Sequence, residues 1–366
     1  MAAVGRSRSG VTCMAREKRV LTAGGILLAA AVVLQVLARN VRGFGQWYSV
    51  TVYRFLTGTL GRLTGIVPFS VSELGLYVLV ICCICYGIYR IRRPARLLSG
   101  TFLLVSALFF VYTVNCGINY YRQPFSASLD FKVQPSSVEE LKKLCVYLTQ
   151  MVNETLPEAI EDGEEAGQSH FSSARQLNRD GVAAMEKLGS VYPGLKGYYP
   201  QPKGLLISEI LSYQQLSGIY SPFTIEANYN GDMTAYNIPH TICHELSHLR
   251  GYMREDEANF IGYLACVGSD SLEYRYSGYL SGWIYAGNAL AKVDMDAYRE
   301  LAEQLSPQAR ADLKANNLFW DQYEGKVAET ANKMNDTYLK ANSQSDGVQS
   351  YGRVVDLMLA YYWESR

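Results

Sequence analysis

Three of the chain's four histidines, His240, His244 and His248, lie within nine residues. On a helix, side chains four residues apart sit on one face with Cβ atoms about 6 Å apart, so the imidazoles of His244 and His248 can converge on one ion. That spacing suits a Zn²⁺ ligand pair. Glu245 follows the first histidine directly. A carboxylate there can reach a water on the metal without binding the metal itself. Zinc brings the pKa of such a water to about 7, so a glutamate can take its proton at neutral pH. His244-Glu245-Leu246-Ser247-His248 is therefore a working set of two ligands and one general base, with a chance occurrence on the order of one in a hundred for a chain of this length. The chemistry it points to is hydrolysis by metal-activated water.

A third ligand is needed. His240 and His248 are eight helical residues apart, about 12 Å of rise, so the three imidazoles cannot share one ion and His240 is expected to line the site or cap the helix. Gly251 can end the first helix, and Tyr252 to Arg254 can reverse the chain. Glu255-Asp256-Glu257-Ala258-Asn259-Phe260 then opens a second helix whose first turn can lie over the histidines. A carboxylate from that turn can supply the third ligand. Asn259, one turn beyond Glu255, can hydrogen-bond a ligating group.

The E-x-E-A-N run after H-E-x-x-H resembles the gluzincins with small domains. These include the CAAX-prenyl-protease and heat-shock protease group and the ImmA-type antirepressor peptidases. In their pattern the glutamate three before the alanine ligates the metal, which matches Glu255, and the residue after the alanine matches Asn259; Glu257, a second acid found in some members, is the fallback ligand. The resemblance implies a mainly helical α+β, zincin-like domain with a small sheet. It also implies Zn²⁺ as cofactor, a peptide or protein substrate, and a strand (here Phe223 to Tyr229) that edges the cleft and pairs with the substrate backbone. The motif covers residues 223 to 267. The chain departs from the prenyl-protease group in the short interval between His248 and Glu255. That interval also echoes the metzincin H-x-x-G-x-x-H, but Arg254 stands at the third histidine and cannot ligate. Over most of its length the chain also resembles an uncharacterised bacterial family of three-pass membrane proteins with an external H-E-x-x-H domain. Candidate oxyanion donors are Tyr276 and Tyr279, with Tyr351 and Arg353 near the C-terminus. With 28 tyrosines in the chain, most must be packing residues.

The elements that position this site begin in a membrane. Apolar runs at about 21–38, 71–89 and 99–116 are each long enough to cross a hydrocarbon core of roughly 30 Å. The basic tail, residues 1–20, and the arginine-rich loop Arg90 to Arg96 should stay cytoplasmic. That places residues 39–70 and everything after 116 outside, in the membrane of the cell. A cleaved first segment would leave the same orientation. In the outer loop, Tyr53, Leu56, Leu60 and Leu63 recur at helical spacing, which suits a helix lying at the lipid surface or packed on the soluble domain.

Residues 117–366 should form one extracytoplasmic domain. Ser136 to Glu139 carries a capping pattern that opens a helix to about Thr155. Residues 158–173 read as an acidic loop, Gln176 to Leu188 as a helix, and 192–204 as a proline-rich loop. Beyond the strand the chain reads as helical. Basic and acidic residues balance at 34 each, which gives no reason to expect nucleic acid. The eight cysteines have no metal-finger spacing. Cys243 and Cys266 are expected to be buried thiols rather than a disulfide. Two functions fit: a membrane-anchored zinc metallopeptidase, or a metal-binding sensor or assembly protein with little turnover.

Overall fold

The computed structural model describes residues 3–129, 137–157, 171–342 and 352–364, with side chains from residue 16 onward except that of Gly352. The expected acidic loop falls largely outside these residues, as does Tyr351. Helices α1 (Ala3–Asn40), α4 (Val71–Arg90) and α5 (Pro94–Asn115) contain the three segments, Arg16–Asn40, Val71–Arg90 and Pro94–Asn115, long and apolar enough to cross a membrane. Helix α1 extends well before its apolar run. It lies close along α5, where Gly24 faces the Phe102 ring with no room for a Cβ. Ile81, Ile84 and Ile88 of α4 are exposed, as side chains facing lipid would be.

Between α1 and α4 lie α2 (Phe44–Val50) and α3 (Val52–Thr64). The expected stripe splits between two faces. Tyr53, Thr57 and Gly61 turn inward, and Gly61 lies against Ile225 and Pro200, while Phe55 (69% exposed) and Leu63 (64%) stay outside. Helix α3 thus packs on the domain by its small and tyrosine residues and leaves an apolar face free.

Helix α6 (Val138–Glu154) starts one residue later than the capping pattern suggested. Ser137 caps it, accepting from Glu140 N–H, while the Glu140 carboxylate accepts from Ser137 N–H. Helix α7 (Ala174–Val191) covers the expected helix with about a turn more. The proline-rich stretch ends in a short strand, β1 (Lys203–Gly204). After the short α8 (Glu209–Tyr213) come β2 (Gly218–Ser221) and β3 (Glu226–Tyr229), in a sheet of order β1-β3-β2. β3 is parallel to β1 and antiparallel to β2. The expected cleft-edge strand is thus corrected. Its residues supply the central, fully buried strand, and residues 222–225 make the preceding turn, with Ile225 at φ 55°. The edge at the cavity belongs to β2, and β1 forms the far edge.

The rest of the described chain is helical: α9 (Asn237–Leu249), α10 (Glu255–Val267), α11 (Leu272–Val293), α12 (Met295–Glu303), α13 (Pro307–Asp321), α14 (Lys326–Ala341) and α15 (Gly352–Glu364). Helices α9, α10 and α11 form the centre of the core with α6, built from Ile242, Leu246, Phe260, Leu264 and Trp283 among others. Cys243 and Cys266 are buried free thiols, and no disulfide occurs among the described residues.

Candidate metal centre

Two helices and one turn build the site. Helix α9 carries His244, Glu245 and His248 on the face toward α10 and β2. It ends at Gly251, whose φ of 88° is one that glycine adopts readily. Gly251 N–H donates to His248 O and Tyr252 N–H to Ser247 O, the paired bonds of a glycine-terminated helix. The chain turns through Tyr252 and Met253, and α10 starts at Glu255 itself. Glu255 therefore sits at a helix N-terminus facing the two histidines.

His244 Nε2 and His248 Nε2 are 3.0 Å apart. Glu255 places Oε2 3.3 Å from the first and Oε1 3.6 Å from the second. These three side chains form the one group of potential metal donors found among the described residues. The remaining ring nitrogens fix the orientation. His248 Nδ1–H donates to the Tyr252 carbonyl at 2.7 Å, which leaves its Nε2 lone pair facing the group. His244 Nδ1 lies 2.7 Å from Asn259 Oδ1, which also accepts from Tyr285 O–H at 3.1 Å.

Charge follows this geometry. Burial opposes a proton on His244, but the hydrogen bond and charge of Glu255 outweigh it and push the imidazole up to about 9. Burial, only partly offset by Glu255, holds His248 down to about 4. Glu255 is itself held low, because the two histidines overcome its burial. Burial pushes Glu245 up to about 8, against the pull of His244 and the Tyr220 N–H.

Glu245 is nearly fully buried, and its Oε2 makes no hydrogen bond within the protein. It lies beside β2. A Cβ on Gly218 would stand 2.6 Å from Glu245 Oε1 and 2.8 Å from the Thr241 methyl, so only glycine lets the edge strand approach this closely. A cavity of about 500 Å³ opens over the group, lined by Glu245, the three donors, His240, Tyr285 and the edge strand.

The other expected site residues sit elsewhere. His240 lines the cavity, but its Nε2 is 3.2 Å from the Asn259 carbonyl, outside the donor group. Glu257 is turned away, toward the backbone N–H groups of Phe125 and Ser126, and burial raises it to about 7. Tyr276 is buried with its O–H on Asp312 at 2.6 Å, and Tyr279 packs against Tyr147 and Tyr263. Arg353 pairs with Asp256 at 3.1 Å. None of these last three lines the cavity, so they are corrected as oxyanion donors: each follows its own helix into the core or onto a neighbouring carboxylate. The sequence reading missed Tyr285, Gly218 and the cavity wall formed by Tyr112, Cys116 and Tyr120. Tyr285 lies in a tyrosine-rich helix with no motif to single it out. The others come from segments distant in sequence from the histidines.

No curated protein and no solved structure matches the chain. A family model described as "Protein of unknown function (DUF3810)" matches residues 48–359, from α2 to α15. With most of its length covered by that match, including the apolar helices α4 and α5 and both helices of the candidate metal centre, the chain belongs to the DUF3810 family.

Proposed function

We propose that this chain is a membrane-anchored zinc metallopeptidase of gluzincin type, with His244, His248 and Glu255 as ligands and Glu245 as general base. The convergence of the three donors beside a buried carboxylate carries the reading. Ligands of a tetrahedral zinc, at about 2.0–2.2 Å from the ion, stand roughly 3.3 Å from each other. The two imidazole nitrogens at 3.0 Å, with one Glu255 oxygen 3.3 Å from His244 and the other 3.6 Å from His248, are close to that shell. Asn259 and the Tyr252 carbonyl hold both imidazoles from behind, as ligating histidines require.

Zn²⁺ bound there would polarise the scissile carbonyl and acidify the attacking water. Glu245 takes the proton of that water as its oxygen adds to the carbonyl carbon. The same carboxylate then delivers the proton to the amine nitrogen as the C–N bond breaks, so one group serves both proton steps. Burial of Glu245 raises its basicity, which favours the first of these exchanges. Pairing of Ser217 and Ile219 toward β3 turns the main chain of Gly218 to the free edge, where an extended substrate can add as a strand. With the arginine-rich turn at 90–96 on the cytoplasmic side, the catalytic domain lies outside the membrane.

The test uses the full chain in detergent or nanodiscs, with zinc content and cleavage of a broad peptide library measured together. One bound zinc and peptide cleavage are expected. Glu245→Gln should keep the zinc and lose about 10²-fold or more of the rate. A zinc-loaded wild type that leaves the whole library uncut would overturn the peptidase reading and favour a sensor or assembly role.

A further inference from the structure

The metal cavity is built directly onto the outer ends of two membrane helices. Asn115, the last residue of α5, donates to Pro222 O at 2.7 Å and accepts on its own carbonyl from Tyr220 O–H at 3.1 Å. It therefore holds the C-terminal end of the edge strand. Tyr112 and Cys116 of the same helix end form part of the cavity wall. At α4 the contact is reciprocal. Glu226 of β3 accepts from Val71 N–H and Ser72 N–H at the helix start, while Glu73 of α4 accepts from Leu206 N–H and Ile207 N–H. The edge strand thus stands at the level where the spans leave the bilayer.

Next to the cavity, and sharing Leu216, Ile219, Asn335 and Tyr338 with it, runs a groove of about 1180 Å³ between α8 and α14. Its walls include Ile210, Tyr213, Val327 and Met334, all well exposed, and Lys326 is its one charged residue. Both walls are tied to the membrane helices. Helix α8 begins two residues after the pair that Glu73 holds. Tyr338 and Asn342 at the end of α14 meet the Tyr112 hydroxyl, with the Asn342 contact at 2.9 Å.

We propose that the substrate is a polypeptide tethered in the same bilayer, whose apolar segment next to the scissile bond lies in the α8–α14 groove. This rests on the peptidase reading of the metal centre and names its substrate class. An apolar groove continuous with the cavity fits an apolar chain segment. Its position at the bilayer surface means that a tethered chain meets it at high effective concentration, whereas a free peptide does not.

The test uses the full chain with Glu245→Gln in phosphatidylcholine nanodiscs, carrying a benzophenone side chain at position 210. A second protein carries the probe at position 191, exposed on α7, and reports chance encounter. The ligand is a short Leu/Val/Ala-rich peptide, either palmitoylated or unacylated. Capture at 210 over 191 should be about tenfold or more greater for the palmitoylated form. Val327→Glu with Met334→Glu should abolish that preference with zinc content unchanged. Equal capture of both forms, or capture indifferent to the two glutamates, overturns the inference. Cleavage is read separately with Glu245 intact. Capture without cleavage keeps the groove and removes the peptidase, and cleavage without acyl preference does the reverse.

Discussion

Glu245 has its place because a glycine opposite makes room for it. Gly218→Ala would put a methyl carbon 2.6 Å from the carboxylate oxygen, so either the strand or Glu245 must move by several tenths of an ångström. A misplacement of about 1 Å can cost about 10²-fold in rate, so a shift of this size in a proton acceptor should cost about tenfold. The expected outcome is a fall in kcat with zinc content unchanged, since Gly218 does not touch the ligands. A rate within a few-fold of wild type would mean that Glu245 is not the acceptor. Asn259 makes the opposite separation. Its carboxamide oxygen holds His244 and takes the Tyr285 hydroxyl. Asn259→Ala should weaken zinc binding roughly 10- to 100-fold, read by competition with a chromophoric chelator, and excess zinc should restore much of the activity.

At the scale of elements, the sheet and α4 are clamped by charge. Lys203 and Glu226 are both almost fully buried and form an ion pair, with Lys203 also donating to Thr64 O at 2.8 Å and Glu226 accepting the two N–H groups that open α4. Carboxylates are favoured at a helix N-terminus. Lys203→Met would leave Glu226 buried beside the helix start without its cation, a loss of about 3–5 kcal/mol. The expected result is a markedly lower melting midpoint, while Lys203→Met with Glu226→Gln should recover part of it; an unshifted midpoint in the single variant would mean the pair is not holding the sheet. This clamp was not legible in the sequence, because Lys203 lies in a proline-rich stretch and Glu226 in a short strand, with nothing in either pattern that names the partner. The histidine pair, Glu255 and the turn at Gly251 were legible, since helical spacing and a chain reversal place them by local geometry alone. The oxyanion candidates failed for the converse reason. Where a tyrosine of α11 points depends on which helices surround it, and Tyr276 is consumed by Asp312.

On the scale of the whole molecule, the candidate metal centre is where the separate parts meet. Helix α9 belongs to the core, α10 starts at Glu255, β2 belongs to the sheet, and the α5 end lines the same cavity. Cys116 at that end also lies 3.7 Å from Met253, in the turn between α9 and α10. A metal bound only by the folded form stabilises it by RT ln(1 + [L]/Kd), about 4 kcal/mol at a thousandfold excess over Kd. For a domain of about 150–250 residues, each kcal/mol shifts the midpoint by roughly 2–4 °C, so stripping zinc should lower it by about 10 °C. The drop should be seen equally in wild type and Glu245→Gln, because that residue is not a ligand. It should be absent in His248→Ala and Glu255→Gln, which begin from the lower value. Thermal unfolding of the nanodisc-held protein with and without chelator reads all four. A chelator effect of the same size in the ligand variants would place the stabilising metal somewhere other than His244, His248 and Glu255.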